Sequence, residues 1–328
     1  MPLPTLDAIA LLDRSDRVRV RVAGPDRAKC LHNLTTNDVK RLAAGAGCEA
    51  FVTSPQGKTL AHVVLAARPD DLLVLADAPA REGLLGHLGK YAIFDDVQVE
   101  DLSGATFELH LVGPRLDALL PRLGLAWPGE VALATGEAIA VAAGLPVTLL
   151  RDDPLGRPGL TVIGPRAGLP ALRAAIEAAG AELGLVAPDA ATAEVLRIAA
   201  GTPAFGRDVT PENLPQEVGR DRRAISFVKG CYLGQETVAR IDAIGHVNRH
   251  LRSLRLDGPL PPPGTPLVAG GKPVGTITSA AALPDEPGVA IALGYVRTAH
   301  ADAGSTLAYE VDAQDGRATV ADIPGGPG

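Results

Sequence analysis

Apolar and polar positions in this chain fall into short runs separated by Gly- and Pro-bearing turns. RVRVRVAG (Arg17 to Gly24) alternates strictly and predicts a half-buried strand with its valines on one core. Gly24-Pro25 then opens a helix through AKCLHNL. Cys30 and Leu34 share a face of that helix at i and i+4, which places Cys30 in the core. CEAFVTS and TLAHVVLAA read as strands joined by the tight turn PQGK, and DDLLVLAD as a further strand. PAREGLLGHLGKYAI reads as a helix and FDDVQVEDL as the strand after it. Strands and helices in this order predict an antiparallel sheet with helices on one face, an α+β unit.

A second unit of the same kind spans about residues 106–188. It is predicted to hold the strand FELHLVG, a helix over PRLDALLPRLGL and a hairpin over VTLLRDDPLGRPGLTVIGP. PALRAAIEAAGAELGL carries a helical apolar stripe at Leu169, Leu172, Ile176 and Ala179, and APDAATAEVLRIAAG opens another helix. The prolines of DGPLPPPGTP can join neither ladder nor helix, so this stretch reads as an inter-element loop or boundary. After it the helical signal vanishes. TPLVAGGKPVGTITSAA, GVAIALGYVR and STLAYEVDAQDGRATVAD predict a small all-β domain, a barrel, with Asp315-Gly316 as a hairpin turn. The expected division is residues 1–250 for the α+β region and 251–328 for the barrel, with DIPGGPG a frayed tail.

The segment KGCYLGQETVAR (Lys229 to Arg240) carries the clearest chemistry. ISFV before it reads as a short buried strand, and Gly234, Gln235 and Glu236 read as a helix start. Between them stands Cys231, flanked by Lys229, Gly230 and Tyr232. A nearby lysine and a helix N-terminus both favour a thiolate. The alternative is a small cysteine that only packs. Tyr232 can stack on a planar ligand or fill the core.

Charge sharpens the picture. The 328 residues carry a formal net charge of −7, which argues against a general nucleic-acid binder. Yet residues 220–255 hold eight Lys or Arg against three acids. Such a local cationic field can steer a small anionic ligand, or it can be a solvated face. No apolar run approaches the ~20 residues needed to span a bilayer. The opening residues lack a basic start followed by an apolar block, so no secretory signal is expected. Cys30, Cys48 and Cys231 have no metal-ligand spacing and cannot all pair, so no intrinsic metal is expected and a reducing, cytoplasmic setting is.

Three blocks in order resemble the YgfZ/GcvT folate-binding family: LTTNDV with FVTSPQGKTLAHVVL; EVLRIAAGTPAFGRDVTPENLPQEVG running into KGCYLGQE; and VGTITSAA with GVAIALGYVR. The KGCYLGQE block resembles the YgfZ branch, iron–sulfur cluster assembly factors related to the glycine-cleavage aminomethyltransferases. The resemblance implies two interleaved ferredoxin-like α+β units and a C-terminal barrel around a folate cleft. It implies tetrahydrofolate as ligand and iron–sulfur proteins, such as radical-SAM enzymes, as clients. Arg197, in LRIAAG, resembles the family's folate-contacting arginine, although it can equally pair on a helix surface. Arg223 and Tyr232 are further expected folate contacts, and Arg240 closes the motif. Two positions depart from the transferases. His62 aligns where they carry an aspartate, and Thr161 where a pterin-holding glutamate is expected. Both departures argue against the glycine-cleavage reaction and leave a different folate-dependent transferase, or an adaptor with a vestigial cleft, as alternatives. His246 and His250 follow the thiol closely enough for a Cys–His pair, but no third orienting residue accompanies them.

Overall fold

In the computed structural model, which describes residues 8–141 and 143–324, strand alternation decides what faces inward. The opening strand β1 (Ile9–Asp13) does not pair with the strand that follows it. A first five-stranded sheet is built instead from β2 (Val18–Ala23), β3 (Gly47–Thr53), β4 (Thr59–Ala67), β5 (Asp71–Ala76) and β6 (Gln98–Asp101), in the order β3-β4-β5-β2-β6. All its pairings are antiparallel. Val18, Val20 and Val22 of β2 are buried, as the alternation requires. The alternation hides one surprise. Arg19 is also fully buried, donating to Thr106 Oγ1 at 2.8 Å and to the Ser103 carbonyl at 2.7 Å. Helices α1 (Arg27–Leu34) and α2 (Arg81–Ala92) supply part of the core packed with this sheet.

The second sheet takes β1 together with β7 (Thr106–Val112), β8 (Thr135–Ala140), β9 (Leu145–Asp152), β10 (Gly159–Pro165) and β11 (Leu185–Val186), in the order β11-β1-β7-β10-β9-β8. Because β1 precedes the first sheet in sequence, the two α+β units are interleaved. PRLDALLPRLGL folds as only one α-turn, α3 (Leu116–Leu119), before tightening into a 3-10 turn over Leu120–Leu123. Pro121 has no N–H to continue the helical ladder there. Helix α4 (Leu169–Gly180) buries Leu172 and Ile176, and α5 (Ala190–Ala199) is capped by Asp189, whose side chain accepts from the Thr192 N–H at 2.8 Å. Short α6 (Asp221–Ala224) and α7 (Gln235–Ile244) follow.

The barrel closes in the order β12-β15-β14-β13-β16-β17, from β12 (Arg249–Asp257), β13 (Pro266–Ala269), β14 (Lys272–Ala282), β15 (Val289–Arg297), β16 (Thr306–Val311) and β17 (Gln314–Ala321). Its first strand precedes the prolines, so DGPLPPPGTP is a loop within the barrel. The β16–β17 turn falls at Asp312-Ala313, both with positive φ (50° and 61°), not at Asp315-Gly316. Gly316 lies inside β17 because the Tyr309 ring covers it, leaving no room for a Cβ. Ile323, expected to fray, is 4% exposed in the first core, whereas residues 325–328 of the expected tail and 1–7 of the opening stretch lie outside the described residues.

Candidate functional site

The thiol loop is pinned along α1. After α6, Ile225 is buried, but Phe227 and Val228 are exposed in a turn, so ISFV is not a buried strand. It joins no β ladder: the Ile225 N–H donates to the Asp221 carbonyl at 3.0 Å and the Ser226 N–H to the Thr36 carbonyl at 2.9 Å. Lys229 then turns inward. Its Nζ donates to the carbonyls of His32 (2.6 Å), Thr35 (2.6 Å) and Asn37 (2.8 Å), around and just beyond the C-terminal end of α1. The same ammonium stands 4.7 Å from the centre of the Tyr232 ring. Burial draws its pKa down to about 7, while the three carbonyls favour the charged form. The cation expected beside the sulfur is thus committed to backbone oxygens.

Two further contacts fix the loop. Leu233 N–H donates to the Asn33 carbonyl at 2.8 Å, and Thr53 Oγ1 donates to the Leu233 carbonyl at 2.6 Å. Gly234 caps α7 at φ 85°, and a Cβ there would strike the PQGK turn, whose Gly57 Cα would lie 2.9 Å away. Gln235 supports the loop through Oε1, which accepts from the Tyr232 N–H at 3.3 Å, and Glu236 is exposed in the first helical turn. Cys231 is exposed on this frame. It lines a cavity of about 630 Å³ with Lys29, Cys30, Tyr91, Asp95 and Tyr232 among its walls. Cys30 is buried there, its thiol pushed up to about 11 by desolvation and then by the Asp95 charge. Neither His246 nor His250 lines this cavity.

A separate cleft lies between the two α+β units. Its outer part is a cavity of about 570 Å³, and its inner part a chamber of about 50 Å³; Arg14, Arg17, Asp77 and Pro154 line both. Glu49 of β3 anchors the chamber. It accepts from Arg220 Nε at 2.7 Å and Nη2 at 2.8 Å, forms an ion pair with Arg223 Nε at 2.7 Å, and pairs with His62 Nε2 at 2.8 Å. These partners overcome a large desolvation penalty and hold the carboxyl well below its ordinary range. His62, one strand over on β4, rests on the Phe51 ring at 5.0 Å between centroids. Its Nδ1 has no hydrogen-bond partner among the described residues. Arg223 also donates to Asp153 at 2.6 and 3.0 Å. Arg14 Nη1 is buried without a hydrogen-bond acceptor, 3.8 Å from Asp152.

The structure therefore separates residues that the sequence had grouped. Cys231 and Tyr232 line one cavity, while His62 and Arg223 line the chamber and Arg197 the outer cleft. Arg197 is bound by Glu194 (2.7 and 3.0 Å), Asp208 (2.7 Å) and the Thr202 carbonyl (2.5 Å). Thr161 is sealed inside the second sheet against His110 Nδ1 at 2.9 Å and lines neither cleft cavity. The cationic stretch is largely neutralised from outside itself: Arg249 pairs with Glu217, Arg252 with Asp322, and Arg255 with Glu286. Arg222 and Arg240 remain exposed, with no ion pair among the described residues. Glu49, Arg14 and Asp153 escaped notice in the sequence, and Arg220 entered only as one of the cations of residues 220–255. The available signal was Glu49 itself, one acid within the otherwise apolar run CEAFV.

Residues 5–229 match the GCVT N-terminal domain, and residues 249–324 the glycine cleavage T-protein C-terminal barrel domain. This chain belongs to the GCVT family. A protein named putative transferase, chloroplastic, from Arabidopsis thaliana is 29% identical over 317 residues, covering 93% of this chain and 69% of that protein. An aminomethyltransferase of Rubrobacter xylanophilus is 30% identical over 296 residues, covering 87% and 75% respectively. Among solved structures, glycine cleavage system aminomethyltransferase T of Bartonella henselae superposes with a TM-score of 0.81 at 20% identity, over 97% of this chain and 86% of that one. The α+β fold with a closed six-stranded barrel is therefore the fold of that enzyme. Among the described residues, no helix is long and apolar enough to cross a membrane, and no cluster of three or more His, Cys, Asp or Glu is placed to hold a metal ion.

Proposed function

We propose that this chain is a cytoplasmic, reduced-folate-binding protein of the YgfZ type, holding tetrahydrofolate in the cleft between its α+β units and supporting assembly or repair of iron–sulfur clusters in client proteins. The observation that carries the thiol's part is the exposure of Cys231 on a loop that Lys229, Leu233 and Gly234 hold in place. A cysteine that only packs would be buried, as Cys30 is. Support for the ligand is the cleft's outer volume of about 570 Å³, within the usual range for cofactor-sized sites, together with relatives named aminomethyltransferase along most of the chain. The loop and the cleft are also joined through one side chain. Asn37, whose carbonyl receives Lys229, donates through Nδ2 to the backbone carbonyls of Glu49 and Arg223.

The test uses a radical-SAM client. Cys231→Ala is expected to lower client-cluster activity strongly while its melting curve stays close to wild type, since exposed substitutions shift stability by no more than about 0.5 kcal/mol. Full client activity in that variant would remove the thiol from the function. A second reading, a folate-dependent aminomethyl or methyl transferase, is favoured by the placement of His62 in the cleft. It predicts turnover of tetrahydrofolate with a one-carbon donor.

A further inference from the structure

The inner chamber has a composition suited to one kind of chemistry. Glu49 engages one ring nitrogen of His62 and is itself fixed by two arginines. With the Nε2 proton donated to that carboxylate, Nδ1 presents a lone pair on a side chain that lines the chamber. A carboxylate that orients an imidazole and stabilises its protonated form is the supporting half of a general-base pair. The chamber's volume of about 50 Å³ has room for a few waters, because one water needs roughly 10–15 Å³ on the same measure. It does not admit a bulky donor group.

Charge narrows the substrate further. Each carboxylate at the chamber faces an arginine: Glu49 faces Arg220 and Arg223, Asp77 faces Arg17 at 3.3 Å, Asp152 faces Arg14 at 3.8 Å, and Asp153 faces Arg223 at 2.6 Å. No uncommitted anion is left there to stabilise a cationic iminium carbon. Arg14 Nη1, buried and without an acceptor, suits the opposite event, an oxygen gaining negative charge.

Resting on the folate reading above, we propose that His62 is the general base of a hydrolytic step on a one-carbon unit at the formyl level, which makes this cleft a site for 10-formyltetrahydrofolate. His62 Nδ1 takes a proton from water as its oxygen bonds to the formyl carbon. Arg14 is the donor available to the resulting oxyanion. Collapse breaks the carbon–nitrogen bond, and the imidazolium returns its proton to the departing nitrogen. Water and the formyl compound thus yield tetrahydrofolate and formic acid, which ionises to formate and a proton released to solvent, with no change in oxidation state. Glu49 acts as a positioning residue.

The experiment measures formate released from 10-formyltetrahydrofolate by the full-length protein, with tetrahydrofolate binding followed by calorimetry on the same samples. Wild type is expected to turn over. His62→Gln, whose amide nitrogen falls where Nε2 stood and can still donate to Glu49, is expected to lower kcat by ~10²–10⁴-fold with KM little changed. Added imidazole should restore part of the activity of His62→Gly. Folate binding without formate release overturns this proposal and leaves the folate reading standing. Undiminished kcat in His62→Gln overturns the role of His62. Absence of folate binding brings down both.

Discussion

Glu49 shows how one side chain can organise a site. An isolated carboxylate in the middle of an apolar strand is costly to bury, and three neighbours offset that cost. Because its folded pKa lies below the unfolded value of about 4.3, its contribution to stability is complete above that pH and is lost as the pH falls further. Glu49→Gln should therefore be less stable near neutrality and show a shallower loss of stability below about pH 4 in acid unfolding curves. Lys229 is the matching case with opposite charge. Lys229→Met leaves three carbonyls without their shared donor, and hydrogen bonds to charged groups are worth about 1.5–3 kcal/mol each. Denaturant unfolding should register a loss of at least that size, with Cys231 labelling faster as its loop loosens.

Elements whose pattern is local were legible in the sequence; those fixed by distant neighbours were not. The inward valines of β2 and the apolar stripe of α4 come from residues within one element, so both were foreseen, whereas the burial of Arg19 on the other face of β2 depends on Ser103 and Thr106 and was not. Asp315-Gly316 looked like a turn because glycine usually marks one. Here it marks a contact with Tyr309, and the turn falls to Asp312-Ala313 in a conformation that suits glycine better. Ala313→Gly should accordingly stabilise the protein by about 1 kcal/mol, seen as a raised melting temperature. In the site, Cys231 and the start of α7 were readable from one continuous motif. The chamber was not, since Glu49, His62, Asp153 and Arg220 come from four separate stretches brought together by the interleaved sheets.

At the scale of the whole molecule, Asp208 ties the cleft to the barrel. Its buried carboxylate receives Arg197 at 2.7 Å, the Ala204 N–H at 2.9 Å, and the hydroxyls of Thr278 (2.5 Å) and Ser279 (2.7 Å) from β14. The first core reinforces the tie, for it contains Leu251, Ile291, Leu293 and Tyr295 of the barrel. Asp208→Ala leaves Arg197 with Glu194 and the Thr202 carbonyl but takes the acceptor from the Ala204 N–H and the Ser279 hydroxyl, at about 1–3 kcal/mol for each buried donor left unpaired. Its unfolding should become less cooperative, with barrel and α+β probes no longer coincident.

The placement of β1 has a consequence for how the chain is made. IALLD leaves the ribosome well before its partners, which lie at residues 109–112 and 185–186. At ordinary translation speeds of ~5–20 residues per second, this greasy ribbon stays single for ~5–20 s before β7 emerges. Synthesis itself thus opens a window for chaperone capture or for aggregation, and faster translation of the codons between β1 and β7 would narrow it.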